Sequence, residues 1–251
     1  MALSCKAWKD HGSATDGTYT LTTSDGSATY SAYCDMTTDG GGWTLVVKAK
    51  RATTTLNYQN TAQWRDGTLL GDTSTLADEN ALGQGYNSVE FTDIMFQSIS
   101  DTTKSLAWRH PNAMASMHAV VFACNRVVDG TLLFGTIGGL DVDGHSGSNM
   151  NHCTDSNCGS CGLEWGFFSY DSSSTRTVGG CSTASGYAGS VLGAGTHAGG
   201  SSCVSTFGVG SHYGGGTSGT NGWSINYHWW GAGNWRMGSN VPFHSIGVFV
   251  R

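Results

Sequence analysis

Asp141 and Asp143 stand two residues apart in Leu140-Asp141-Val142-Asp143-Gly144-His145-Ser146-Gly147, and here residue types and spacing first point to chemistry. An extended or turning backbone returns alternate side chains to one side, so both carboxylates can meet a single hard cation such as Ca2+. The same pair also suits an ordinary solvated turn. A second cluster follows, with His145, His152 and Cys153 close to the C-x-x-C of Cys158 and Cys161. These are zinc-type ligands, but a structural zinc site usually shows a second pair at matching spacing, and the nearest candidates, Cys181 and Cys203, stand singly. A third group gathers Trp223, Tyr227, His228, Trp229, Trp230 and Trp235 among small and polar residues. Their flat faces can stack on sugar C–H groups while their N–H and O–H groups hydrogen-bond. The same rings can equally fill a core, and Tyr187, His197, His212 and Tyr213 are weaker candidates in the same region.

Catalytic signatures are missing. There is no G-x-S-x-G nucleophile elbow, H-E-x-x-H or P-loop. Glu79, Glu90 and Glu164 are the only glutamates, so a glycosidase carboxylate pair would draw mainly on aspartate. The chain is read as a binding protein and not an enzyme. A net charge of -6 with no basic run argues against nucleic acid as a partner. No apolar stretch approaches the ~20 residues that span a bilayer, which argues against membrane insertion. Met1 to Lys9 lacks the apolar run of a signal peptide, so export is expected to use a leader outside this sequence or assembly into a particle.

The elements that must position these residues fall into three textures. From Cys5 to about Lys50 the chain alternates apolar and polar residues, as in Thr18-Tyr19-Thr20-Leu21-Thr22 and Thr29-Tyr30-Ser31-Ala32-Tyr33. These read as strands of a hairpin turning at Ser24-Asp25-Gly26-Ser27, with Trp43 to Lys48 as a further strand. From about Asn57 to Phe134 lie the least Gly-rich residues, expected to supply helices and central strands. Asp93 to Ile99 fits a helical turn or a strand, and the apolar run Ala119 to Cys124 reads as a central strand. Beyond Gly138, Gly, Ser, Asn, His and Trp dominate until Ile246-Gly247-Val248-Phe249-Val250, read as a strand returning to the core after a large loop-built lobe. The 38 glycines, against only 12% charged residues, suit turns and long polar loops, and the nine Trp, nine Tyr and nine Phe argue against disorder. Eight cysteines, an even number, point to an oxidising destination.

The segment Tyr33-Cys34-Asp35-Met36-Thr37-Thr38-Asp39-Gly40-Gly41-Gly42-Trp43-Thr44-Leu45-Val46 resembles the N-terminal signature of fibrinogen-related domains, including intelectins, and Ser4-Cys5-Lys6 stands where that family places its first cysteine. The resemblance implies a Cys5–Cys34 disulfide. It also implies that Asp141 and Asp143, with the carbonyls of His145 and Gly147, hold calcium. Asn151-His152-Cys153 looks like the family's polar residue and cysteine beside the ligand pocket, where a cis peptide can occur. The chain departs from the family in placing Cys158 and Cys161 so close to Cys153, and the pairing of Cys124, Cys153, Cys158, Cys161, Cys181 and Cys203 stays open. Its Gly- and Trp-rich tail is similar to divergent microbial or viral members.

The expected fold is therefore α+β: a fibrinogen-like domain over 1–251, with a small antiparallel sheet in 1–50 and a central mixed sheet with short helices in 51–137. A loop-rich calcium and ligand lobe with the return strand fills 138–251. The expected function is calcium-supported carbohydrate binding, extracellular or on a virion surface. Glycans would be the partners, His152, Cys153, Tyr227, His228, Trp229, Trp230 and Trp235 the ligand-contacting residues, and a homo-oligomer or larger particle the setting. The alternative is a structural or host-recognition protein of a virus or phage particle, such as a tail component, that makes mainly protein contacts.

Overall fold

The computed structural model describes residues 2–50, 55–56, 61–103, 105–122, 126–127, 131–135, 162–170, 176–178, 181–183, 188–197, 204–209, 212–213, 222–228 and 245–251. The first helix, α1 (Cys5–Asp10), starts where the Ser4 hydroxyl accepts a hydrogen bond from the Ala7 N–H, and it ends as the Gly12 N–H donates to the Lys9 carbonyl at φ +96. The expected hairpin follows as β1 (Gly17–Thr22) and β2 (Thr29–Asp35). Its turn is closed by Asp25, whose carboxylate accepts from the Thr23 hydroxyl at 2.6 Å and from the N–H and hydroxyl of Ser27 at 3.0 and 2.8 Å. Those bonds hold the exposed Asp25 carboxyl down at about 2.

After β3 (Trp43–Ala49) come α2 (Thr61–Arg65), β4 (Ala81–Leu82), α3 (Gln84–Ser88), β5 (Phe91–Ser98), β6 (Ser105–Met114), α4 (Met117–Phe122), β7 (Arg126–Val127) and β8 (Thr131–Gly135). Eight strands form one sheet in the order β1-β2-β3-β16-β5-β6-β8, with β4 beside β3 and β16 (Ile246–Val250) in the middle. Every pairing in it is antiparallel, where a mixed sheet was expected, and the N-terminal strands continue into it and do not form a separate sheet. Apolar runs are continuous here because the centre of the sheet is covered on both faces. Ile246, Val248 and Val250 of β16 pack with Val47, Phe96 and Trp108, whereas Phe249 joins Trp43, Leu45 and Met95 in a separate cluster. The ambiguous segment from Asp93 resolves as strand β5, and the return strand stands as expected.

Ala119 to Cys124 corrects the sequence reading. Residues 117–122 are helix α4, with the Ser116 hydroxyl accepting from the Ala119 N–H at 3.1 Å. Met117, Val120 and Val121 are buried while Ala119 and Phe122 are exposed, which is the 3.6-residue period of an amphipathic helix. The stop after β6, at Gly-free Ala115-Ser116, supplies the cap that a continuous apolar run hides.

The loop-built lobe is also corrected. Within 162–228 run β9 (Gly162–Tyr170), β10 (Arg176–Val178), β11 (Cys181–Thr183), β12 (Ala188–His197), β13 (Val204–Val209), β14 (His212–Tyr213) and β15 (Gly222–His228). They form a sheet in the order β15-β13-β12-β9-β7, with β14 beside β12, and a separate β10-β11 ribbon. Glycine and serine carry no apolar alternation, so ladder-forming segments such as β12, Ala-Gly-Ser-Val-Leu-Gly-Ala-Gly-Thr-His, read as loops in sequence.

The helical assignment of α4 yields a clear test. Met117→Ala should cost about 3 kcal/mol as a cavity, while Ala119→Glu should change stability by no more than about 0.5 kcal/mol. In a strand the two positions would share one face and respond together, so urea denaturation of both variants distinguishes the two geometries.

Candidate functional site

Cys5 and Cys34 form a disulfide with a Cα–Cα distance of 5.4 Å. Both are fully buried, among Leu21, Ala32 and Met36, so the bridge locks α1 against the hairpin. With a sequence separation of 29, closing this loop contributes roughly 3.5 kcal/mol in the chain-entropy account. Immediately after Cys34, the Asp35 carboxylate accepts from the N–H groups of Thr37 and Thr38 at 3.0 and 2.8 Å, and a single 3-10 turn follows over Thr38–Gly40. Asp39 sits at φ 46 and Gly41 at φ 74, both in the left-handed region. A Cβ on Gly41 would lie 2.0 Å from the Met36 carbonyl oxygen, so only glycine lets the chain pass there. The indole N–H of Trp43 then donates to the Thr38 carbonyl at 2.8 Å and closes the turn.

Arg251 grips this turn from the other end of the sequence. Its guanidinium carbon lies 4.1 Å from the centroid of the buried Trp43 ring, and Nη1 donates to the carbonyls of Asp39 and Gly41 at 2.7 and 3.1 Å. Nε and Nη2 donate to Asp93 Oδ2 at 3.0 and 2.8 Å. Arg109 approaches the same carboxylate with Nε on Oδ1 at 2.7 Å and Nη2 on Oδ2 at 2.8 Å. Burial alone pushes the Asp93 carboxyl up. The hydrogen bonds from Arg109 and Arg251, and the two positive charges, outweigh it and hold the carboxyl below the usual range. The backbones join too, with the Asp93 and Arg251 N–H groups each donating to the other's carbonyl at 2.8 Å.

Beside this cluster opens a cavity of about 480 Å³ between α1, Gly40-Gly41 and the ends of β5 and β6. Its wall includes Lys6, Lys9, Glu90, Asp93, Arg109 and Arg251. Phe91 pairs with Met114 but Asp93 already pairs with Arg109, so the four residues His110 to Ala113 of β6 stand against Thr92 alone, three more than the ladder needs. Pro111, which has no N–H to give a ladder, sits in that bulge, from which Ala113 reaches the cavity wall.

Of the residues singled out in sequence, the structure brings Cys5 and Cys34 together. Asp141, Asp143, His145, Gly147, His152, Cys153, Trp229, Trp230 and Trp235 lie outside the described residues. Tyr227 and His228 fall on β15, where their backbones pair with Ser205 and Val204 of β13. The other cysteines outside the N-terminal bridge keep their open pairing, Cys181 being placed only as the first residue of β11. Among the described residues no group of His, Cys, Asp and Glu converges on a metal-sized site, and no helix is long and apolar enough to cross a membrane. Sequence reasoning missed the Arg251–Asp93–Arg109 cluster altogether.

Residues 1–87 match the family model described as fibrinogen beta and gamma chains, C-terminal globular domain. The first third of the chain is thus similar to a fibrinogen-related domain. Angiopoietin-2 of Sus scrofa is 42% identical over 55 residues, which are 22% of this chain and 10% of that protein. Two solved human structures resemble the fold at TM-scores of 0.31 and 0.30. They are the fibrinogen-like globe domain of ANGPTL6, 14% identical over 43% of this chain and 48% of that one, and that of ANGPTL2, 17% identical over 45% and 53%. The chain thus spans about a tenth of the curated relative and about half of each solved domain. The likeness to the family rests on residues 1–87, the segment that contains the disulfide and the signature turn. The described fold is mixed α+β, with antiparallel sheets and a few short helices.

Removing the Asp93 carboxylate should strand Arg251, whose side chain is only 12% exposed. Asp93→Ala is expected to cost about 3 kcal/mol, the exposed Arg109 recovering water and adding little. Because the Asp93 carboxyl is held below its unfolded value, its stabilisation is fully present above about pH 4 and is lost as pH falls through the lowered native value. Thermal melting of wild type and Asp93→Asn between pH 2 and 7 checks this, the gap between the two curves being constant above about pH 5 and closing in acid.

Proposed function

We propose that this fibrinogen-related domain is a calcium-supported glycan-recognition module that works outside the cell or on a particle surface, and that it is not an enzyme. The observation that supports the reading is the N-terminal unit itself: the Cys5–Cys34 bridge and the left-handed turn at Asp39 to Gly42 match the part of the chain that the family shares. A domain of this family can mediate ligand recognition, and a buried disulfide suits an oxidising location.

Calcium would be held by Asp141 and Asp143 with the carbonyl oxygens of His145 and Gly147, an all-oxygen donor set that fits a hard cation. The ion would fix the loop that shapes the pocket. Sugar would meet His152 and Cys153 and the aromatic residues Tyr227, His228, Trp229, Trp230 and Trp235, stacking on ring faces and hydrogen-bonding at their edges. A shallow sugar site buries little apolar area and competes with water for each hydroxyl, so single-site affinity is weak. Several copies on an oligomer or particle would raise avidity by roughly 10² to 10⁴ without new contacts.

Two experiments bear on this. Asp141→Ala combined with Asp143→Ala should remove one bound ion by elemental analysis and lower the melting temperature to that of chelated wild type. Calcium at a hundredfold excess over Kd adds about 2.7 kcal/mol, and a chelator-insensitive melting curve with no bound ion contradicts the calcium reading. On a glycan array, multivalent protein should bind in calcium and lose binding after Trp229→Ala and Trp230→Ala. Multivalent protein that binds no glycan but self-assembles in light scattering would favour a particle protein making protein contacts.

A further inference from the structure

The cavity beside Arg251 has unspent hydrogen-bonding capacity of a particular kind. Arg109 commits Nε and Nη2 to Asp93, and among the described residues its Nη1 donates to nothing, on a side chain that is 54% exposed. Lys9 places its ammonium at 2.8 Å from the Met36 carbonyl, one bond of the three its Nζ can make. The other charges on the wall are largely matched. Lys6 is paired with Asp10 at 2.9 Å, and Arg251 with Asp93. Glu90 has no ion pair among the described residues and remains as an acceptor at the same rim.

The rim also has reasons to keep its shape. Lys9 stands on α1, which the disulfide ties to β2 through Cys5. Arg109 is oriented by two bonds to a buried carboxylate, and the backbone at Gly40-Gly41 is fixed by the Arg251 side chain. Donors already held in place lose little freedom when they bind, which is the main cost for flexible cationic side chains. The volume lies within the range of ~300–1,000 Å³ common for small-ligand sites, and a wall so rich in charge suits a polar occupant.

We propose that this cavity is a second, calcium-independent binding site for an acidic sugar, whose carboxylate is received by Arg109 Nη1 and Lys9 Nζ and whose hydroxyls donate to Glu90. A planar guanidinium and an ammonium lining one cavity can share a single carboxylate by charge-assisted hydrogen bonds. The Glu90 acceptor on the same wall favours a hydroxylated ring over a simple carboxylate. The site lies entirely on the N-terminal sheet and α1, and it uses none of the residues assigned to calcium or to the aromatic glycan wall, so either site can fail without the other.

The test uses the whole chain in chelator, with D-glucuronate, D-glucose and acetate as probes and amide NMR shifts at Gly40, Gly41, Thr92 and Asp93 as the readout. Glucuronate should give saturable shifts, with glucose and acetate at least tenfold weaker. Lys9→Gln and Arg109→Gln should each weaken glucuronate at least fivefold with their amide spectra otherwise preserved. Glu90→Gln keeps an acceptor and removes a like charge, so it should bind glucuronate at least as tightly as wild type. Equal shifts from glucose and glucuronate, no saturable shifts, unchanged affinity in both cation variants, or weaker binding by Glu90→Gln would each overturn the proposal.

Discussion

A guanidinium is held between an indole face and a buried carboxylate, and the central strands of the eight-stranded sheet depend on that arrangement. Arg251 lies 158 positions from Asp93 and 212 from Asp39, yet it bonds both and covers Trp43. A charge this enclosed is costly unless its hydrogen bonds are all made, and here carbonyls, carboxylates and a ring face share the task. Each of those partners has another duty. Asp93 orients Arg109, Asp39 and Gly41 form the signature turn, and Trp43 opens β3. The cluster thus joins the first, middle and last parts of the described sheet at one point.

The topology makes that junction necessary. β16 lies between β3 and β5, so the central ladder is complete only when the last described strand is in place. Its contacts span most of the sequence, and the loop-closure entropy must be met before they form. The Cys5–Cys34 bridge lowers part of the cost of ordering the N-terminal strands by restricting the unfolded chain. The disulfide and the Arg251 cluster therefore act on the two sides of the signature turn, the Cys5 N–H donating to the Thr44 hydroxyl at 3.0 Å beside Trp43. One ties α1 to the hairpin, the other ties the signature turn to the return strand, and residues of α1 and of the cluster both line the cavity.

Much of this sheet was legible in sequence because its strands alternate or run apolar between recognisable turns. The hairpin, β3 and β16 were all read from such patterns, and the disulfide from the likeness of residues around Cys34 to a family signature. α4 was misread because Ala119 to Cys124 is apolar throughout, and its helical period shows only when Met117 is counted and Ala119 is seen to be exposed. Strands β9 to β15 were read as loops because Gly and Ser form ladders without writing any apolar period into the sequence. The Arg251 cluster escaped notice for another reason. Ion pairs between distant positions leave no spacing, and the only local hint is an acidic residue, Asp93, directly before the apolar run Ile94-Met95-Phe96.

Residue-level native-state hydrogen exchange tests the central role of this cluster most directly, by comparing wild type with Arg251→Ala. In wild type the amides of Val248, Phe249 and Val250 should exchange only through global unfolding, at the free energy given by denaturant titration. In Arg251→Ala those amides, together with Thr44, Leu45 and Ile94, should open well below the global value while the β1–β2 hairpin keeps its protection. If β16 retains wild-type protection relative to global stability in the variant, the sheet does not depend on the Arg251 cluster and the account is wrong at its centre.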